Sequence, residues 1–367
     1  MFKRAVFFSL LVFSLGAQEK QIELFMDWRW EAKGQELFPL REDEPEPHPL
    51  LTRIRRNLLE RGWDICSWER DRYRPWLMSW KEVVTWRDFV WWLRIGLPGK
   101  APFREKDGLW IFWSLGPKVK NFNFSRIPKE KLVLFTWEPP TVQAESHDPK
   151  MWEHFGKIFT WDDALIDNKR FFKFHYPCLK QQIDEVISFK EKKFCVLINS
   201  RLCSKHPKQI YREREKTIRF FEDKVGELDL FGRFWEKRGF KNYRGTAADK
   251  IGTLKNYKFC ICYENTRDVL GYVTEKIFDC FAGKVVPIYW GASNIADYIP
   301  KECFIDRRKF KDEQALYDFL KSVTEEQYEA YIESAAKFIK SEKAKVFTED
   351  YFLETFLKVT EEQKPSL

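Results

Sequence analysis

The chain has 367 residues, 44% of them hydrophobic and 17% aromatic. That excludes a disordered or low-complexity polymer and a single small domain, and suits two domains of about 150 to 180 residues. The 64 basic and 56 acidic residues leave a formal net charge of +8, which suits an anionic partner, but they are interspersed and form no extended track for nucleic acid.

Lys3 and Arg4 precede an apolar run over residues 5–13 that continues through Leu15, Gly16 and Ala17. A positive start, a short apolar run and a small-residue exit read as a secretory signal or short signal anchor over residues 1–18. The run is shorter than the ~20 residues that span a bilayer, so any membrane association rests on this segment. Residues 22–25 predict a strand. The segment 42–49 is acidic, carries Pro45, Pro47 and Pro49, and predicts a loop. Leu51, Ile54, Leu58 and Leu59 recur at helical spacing over 50–61, Gly62 ends that helix, and 63–66 resumes as a strand. This β-α-β alternation predicts a parallel sheet.

A Trp-rich helix is expected over 76–93, followed by strands over 109–114, 131–137 and 157–161. The charged, aperiodic stretch 180–193 predicts a link between a first domain (19–180) and a second (190–345). The alternation then restarts with strand 194–199, helix 211–224 (Ile218 and Phe221 inward), strand 228–231, helix 246–254 and strand 257–263. Helix 273–282, stopped by Gly283, leads to strand 285–290. Helices follow over 312–322, 325–340 and 349–359, the last within a C-terminal helical tail, 346–367. Two open β/α domains facing across a cleft would place ligands at the C-terminal ends of their strands.

Other groups carry weaker signals. None of the eight cysteines forms a CxxC pair, and Cys195, Cys260 and Cys262 lie in apolar runs, as small buried hydrophobes do. Asp162, Asp163 and Asp167 could hold a metal-bound diphosphate, but on a polar helix they read as a solvated face. No Asp-x-Asp triplet occurs, which argues against a metal-dependent transferase. His154, His175 and His206 are isolated and read as structural.

The segment 257–291 reads YKFCICYENTRDVLGYVTEKIFDCFAGKVVPIYWG. A strand ends in Glu264 and Asn265, a polar loop closes at Gly271, and a helix opens at Thr274 with Glu275 and Lys276 in its first turn. Backbone N–H groups at a helix start are unpaired and carry the positive end of the macrodipole, so a phosphate can dock there. Lys276 adds a full charge, Glu275 can accept bonds from sugar hydroxyls, and Asn265 both donates and accepts. Together they suit a pyrophosphate plus a polyol, as in a nucleotide sugar. The same residues would also serve as a plain helix start with Thr274 as N-cap.

Three runs, Tyr263-Glu264-Asn265-Thr266, then Gly271 to Lys276 (GYVTEK), then Val286 to Gly291 (VPIYWG), resemble the signature of the glycosyltransferase family 10 fucosyltransferases. Tyr263 and Thr266 stand where Phe and Ser are usual. Upstream, Asn199-Ser200, a basic helix and Asp229 to Arg233 are similar to the strand–helix–strand that precedes the signature. Within that helix the resemblance places a pyrophosphate-binding arginine at Arg214 by register, with Arg212 and Arg219 as rivals. Leu134 to Pro140 (LFTWEPP) resembles the family strand that ends in a catalytic glutamate, here Glu138. The resemblance covers about residues 130 to 310.

The resemblance implies an α/β fold of two Rossmann-like domains facing across a cleft, the GT-B type. It implies an inverting transfer of fucose from GDP-fucose to a hydroxyl of a glycan, with Glu138 as base and no metal or other cofactor. Arg214 and Lys276 would stabilise the departing diphosphate, Thr274 would line the donor site, and Glu275, Asn265 and Tyr272 would position ribose and fucose. A relative using another GDP-sugar such as GDP-arabinose, or a glycan-binding relative without catalysis, are the alternatives. The expected partners are a GDP-sugar and a glycan or glycoconjugate, not nucleic acid. The expected location is the secretory pathway or a membrane: the Golgi in a eukaryote, the envelope or cytoplasmic membrane in a bacterium.

Overall fold

The computed structural model describes residues 20–26, 49–67, 108–116, 119, 122–224 and 226–361. The expected signal over 1–18, the body of the 42–49 loop and the helix over 76–93 lie outside them.

Six strands build the first sheet: β1 (Lys20–Met26), β2 (Trp63–Ser67), β3 (Leu109–Trp113), β4 (Leu132–Phe135), β5 (Lys157–Thr160) and β6 (Phe171–Lys173). Their order is β2-β1-β3-β4-β5-β6, and every pairing is parallel. β4, with the sequence LVLF, is buried throughout, as a parallel strand covered on both faces must be. Alternate side chains divide between two cores. Trp110, Phe112, Leu132, Leu134 and Ile158 join Phe155 on one face. Ile111, Trp113, Val133, Phe135 and Phe159 face the other way.

That second face is covered by helix α1 (Pro49–Leu59), which buries Leu51, Ile54 and Leu58. Five strands build the second sheet: β7 (Lys193–Ile198), β8 (Leu228–Phe231), β9 (Tyr257–Tyr263), β10 (Val286–Trp290) and β11 (Ile305–Asp306). Their order is β11-β10-β9-β7-β8, again wholly parallel. Helix α2 (Tyr211–Glu222) and helix α4 (Glu313–Ser322) cover one face with Ile218, Phe221, Leu316 and Leu320. Helix α3 (Glu275–Ala282) covers the other with Ile277, Phe278 and Phe281. Helix α5 (Glu325–Ile339) opens on a capping box of Thr324 and Gln327. The cysteines expected to be buried, Cys195, Cys260 and Cys262, are buried and unpaired.

Two strands escape a reading by periodicity, β6 and β11, because three and two residues are too short to show a period. The C-terminal helix also behaves differently from a tail. Helix α6 (Glu349–Leu357) returns to the first sheet, where Phe356 stacks on Phe135 with ring centroids 5.3 Å apart and Phe352 meets Trp137 edge-on at 5.7 Å. Arg53 of α1 pairs with Glu349 and Asp350. Beyond α6, the Lys157 ammonium at the start of β5 donates to the backbone oxygens of Lys358, Val359 and Glu361. The expected link over 180–193 has no regular element until β7, yet it is fastened to α3. The Ile183 amide donates to Ala282 O at 3.0 Å, and Lys180 pairs with buried Asp279.

The C-terminal ends of the two sheets meet. Thr141, after β4, donates to Asn265 O at 3.1 Å, and Trp161, after β5, packs on Tyr272 with ring centroids 4.7 Å apart. The two sets of strand ends therefore enclose one cleft.

Candidate active site

Glu264 follows β9 and its side chain is fully buried. A carboxylate without water must have its oxygens bonded. Glu264 accepts from the Thr274 amide at 3.0 Å, from the Thr274 hydroxyl at 2.9 and 2.8 Å, and from Lys276 Nζ at 2.9 Å. Thr274 therefore does not cap α3 with its side chain. The turn that the sequence offers as a helix start is a buried carboxylate–hydroxyl–ammonium network, and Thr274 gives the first helical turn no side-chain cap. Lys276 retains one of its three protons for another acceptor. Burial alone would lower its pKa, but Glu264 and Glu275 outweigh that and raise it above the usual ammonium value.

Arg214 is the one arginine of the three rivals that turns inward. It is 2% exposed, whereas Arg212 and Arg219 face solvent. Its guanidinium donates to Tyr263 O and Glu264 O at 2.6 Å and to Asn265 Oδ1 at 3.1 Å, and it lies over the Tyr211 ring. Its Nε has no protein partner. Position 214 is three residues into α2 and on the same face as Thr217, Ile218 and Phe221, so helical register carries it to the end of β9.

Glu275 forms an ion pair with Lys276, Oε1 to Nζ 3.7 Å, and its side chain is half exposed, at 50%. Partial loss of water would raise its pKa. Lys276 and Lys250 overcome this and hold it down at about 2. Tyr272 is 2% exposed, wedged against Trp161 and 6.0 Å from the Tyr176 ring, and burial pushes its phenol far up.

Glu138 lies three residues past β4 and is half-buried. Its amide donates to the Ser114 hydroxyl at 3.2 Å and its carbonyl accepts from His147 Nε2 at 2.8 Å. Glu138, Glu264 and Glu275 all act on the buried phenols of Tyr176 and Tyr272. The structure thus brings Glu138, Arg214, Asn265, Tyr272, Thr274, Glu275 and Lys276 around one cleft. Sequence reasoning missed Lys250, Ser114 and His147, and it passed over Glu264 as a strand end. Only the last had a signal, an acidic residue closing an apolar strand.

The acidic cluster does not form a solvated helical face. Asp163 lies in a short 3-10 turn and reaches across the cleft. It pairs with Lys173 at 2.6 Å and accepts from Tyr298 at 2.6 Å and Asn294 at 2.9 Å. Asp167 closes a local turn through the amides of residues 169–171. Among the described residues no His, Cys, Asp and Glu cluster fits a metal ion.

Residues 188–361 match the family profile described as glycosyltransferase family 10 (fucosyltransferase) C-term. The second half of this chain is thus similar to the C-terminal part of that family. A stretch of 69 residues is 44% identical to an alpha-(1,3)-fucosyltransferase of Helicobacter pylori, covering 18% of this chain and 14% of that protein. Another of 68 residues is 44% identical to an alpha-(1,4)-fucosyltransferase of Arabidopsis thaliana, covering 18% of this chain and 17% of that one. Over 139 residues the chain is 30% identical to 4-galactosyl-N-acetylglucosaminide 3-alpha-L-fucosyltransferase 9 of Mus musculus, covering 36% and 34%. The chain thus matches only a minor part of the length of these relatives.

A crystal structure of an alpha1,3-fucosyltransferase superposes with a TM-score of 0.53 at 14% identity, covering 94% of this chain and 92% of that one. The same comparison with a GDP-fucose complex gives 0.51 at 15%, covering 99% and 95%. At such identity the likeness establishes the fold, which is the GT-B arrangement of two facing Rossmann-like sheets.

One glycine of the segment 188–361 is required by this geometry. Gly271 has φ +78°, and a Cβ there would lie 2.3 Å from Trp161 O and 2.6 Å from Lys173 Nζ. Gly271→Ala is expected to destabilise the protein by more than about 1 kcal/mol, since strain and overlap add. Denaturant unfolding would measure it, and an unchanged midpoint would show that the two sheets separate there freely.

Proposed function

We propose that the protein transfers fucose from GDP-fucose to a hydroxyl of a glycan, with inversion at the anomeric carbon and without a metal ion. The observation that carries this reading is the facing of two charges. A cationic pocket of Arg214, Lys276 and the α3 N-terminus lies on one side of the cleft, and Glu138, whose charge acts on the phenols of Tyr211 and Tyr272, follows β4 on the other, where the Thr141–Asn265 bond joins the two sides.

In this mechanism Glu138 takes the proton of the acceptor hydroxyl. The oxygen attacks the anomeric carbon from the face opposite GDP, and the bond from that carbon to the β-phosphate oxygen breaks. GDP leaves with the electron pair, and Arg214, Lys276 and the first-turn amides of α3 stabilise the charge that develops on it. Glu275 and Asn265 bind hydroxyls of ribose and fucose. Tyr272, packed between Trp161 and Tyr176, shapes the wall they share. Thr274 holds Glu264 and Lys276 in place. Residues 1–18 act as an export signal or anchor and place the enzyme in the secretory pathway or at a membrane.

The test is to incubate the purified protein with a panel of GDP- and UDP-sugars and glycan acceptors and to follow nucleotide release. GDP release from GDP-fucose that persists in EDTA is the expected result. Release from GDP-arabinose alone would reassign the donor. Activity lost in EDTA and restored by manganese would overturn the metal-free mechanism, and binding without release would favour a glycan-binding relative.

A further inference from the structure

The strongest unassigned geometry lies behind Glu138, and it rests on the reading of Glu138 as the base. Ser114 follows β3 with φ +80°, a left-handed conformation that a residue with a side chain adopts only at a cost. It is 6% exposed. Its own amide donates to Phe135 O at 2.8 Å, which fastens it to the neighbouring strand. Its hydroxyl is thereby aimed at the Glu138 amide, 3.2 Å away.

His147 holds the other side of the same residue. It ends the turn Ala144–His147, and its Nε2 donates to Glu138 O at 2.8 Å. Loss of water keeps its pKa down at about 4, so the ring is neutral near pH 7 and the bond selects the tautomer with the proton on Nε2. The turn is itself tied down. The Ser146 hydroxyl accepts from the Leu115 amide at 2.7 Å, and the Ser146 carbonyl accepts from Trp152 Nε1 at 2.9 Å. Both partners of Glu138 thus belong to one rigid unit at the end of β3.

We propose that Ser114 and His147 are positioning residues that clamp the Glu138 peptide, one at its N–H and one at its C=O, and so aim its carboxylate into the cleft. The direction of a Cα–Cβ bond follows from the two peptide planes that flank it. Fixing one hydrogen bond on each plane fixes that direction without touching the carboxylate. The Pro139-Pro140 pair that follows supplies no backbone N–H of its own, which leaves the Glu138 carbonyl as the handle on that side. A base displaced by 1 Å loses on the order of 10²-fold in rate.

The experiment compares full-length wild type, His147→Ala, His147→Gln, Ser114→Gly and Glu138→Gln. It uses GDP-fucose with the acceptor that gives the highest wild-type rate, and measures GDP affinity separately. Glycine accepts the positive φ, so Ser114→Gly removes the hydroxyl without adding strain. His147→Ala and Ser114→Gly are expected to lower kcat about 10- to 100-fold with GDP affinity held within about twofold. His147→Gln, whose side-chain amide can still donate, is expected to recover most of the loss. Wild-type kcat in both His147→Ala and Ser114→Gly, with Glu138→Gln inactive, overturns the clamp and leaves the base in place. A loss that falls equally on GDP affinity and is not recovered by His147→Gln means general structural damage and also overturns it. Full activity in Glu138→Gln removes the base assignment, and the clamp with it.

Discussion

Glu138→Gln is expected to bind GDP as the native protein does while transfer falls roughly 10²- to 10⁴-fold, the usual effect of removing a general base. The substitution keeps the shape of the side chain and leaves the Ser114 and His147 bonds untouched, because both go to the backbone. The proposed phosphate contacts, Arg214 and Lys276, belong to the other domain and are held by Glu264 and Asn265. The obvious rival base is Glu275, which is half exposed in the same cleft. Its pKa, held at about 2 by two lysines that outweigh its partial burial, makes it a weak base committed to cations. Measuring kcat and GDP affinity on the same preparation separates the two roles. Transfer at near the native rate by Glu138→Gln would assign the proton to another carboxylate.

Lys276→Ala is expected to act twice, and the structure makes it more damaging than the loss of one phosphate contact. The ammonium is 11% exposed and its partner Glu264 is fully buried. Removing one member of such a pair strands a buried charge and costs about 3–5 kcal/mol of stability. The lost contact to phosphate adds about 1.5–3 kcal/mol to the free energy of GDP binding, a loss on the order of 10- to 150-fold in affinity. The double variant Lys276→Met with Glu264→Gln distinguishes these effects. Replacing both charges with groups of similar size should restore most of the thermal stability, while GDP affinity stays low. Unchanged GDP affinity and turnover in Lys276→Ala would reduce the Thr-Glu-Lys run to a plain helix start.

Much of this was legible in the amino-acid order because it depends on near neighbours. The alternation of apolar runs with 3.6-residue periods marks the β/α rhythm of both sheets, and strands such as LVLF over Leu132–Phe135 are apolar throughout because both their faces are covered. The strand–loop–helix carrying Glu264, Asn265, Thr274, Glu275 and Lys276 is a continuous segment, so its residue types and spacing stand in one line of sequence. The family resemblance also points to an arginine on α2, Arg214 by register with Arg212 and Arg219 as rivals.

Tertiary structure decided what depends on burial and on distant partners. Arg214 rather than Arg212 or Arg219 enters the site because its face of α2 packs on β9, which no local pattern of charge reveals. Asp163 became a bridge across the cleft because Asn294 and Tyr298, more than a hundred positions later, arrive beside it. The C-terminal helix reads locally as any amphipathic tail, yet Phe352 and Phe356 find their apolar surface on the first sheet. The approach of Glu138 to the second domain rests on contacts such as Thr141–Asn265, between residues 124 positions apart. Local propensity sets the elements, but which faces are dry, and which charge meets which, is settled only when the chain collapses and water is excluded.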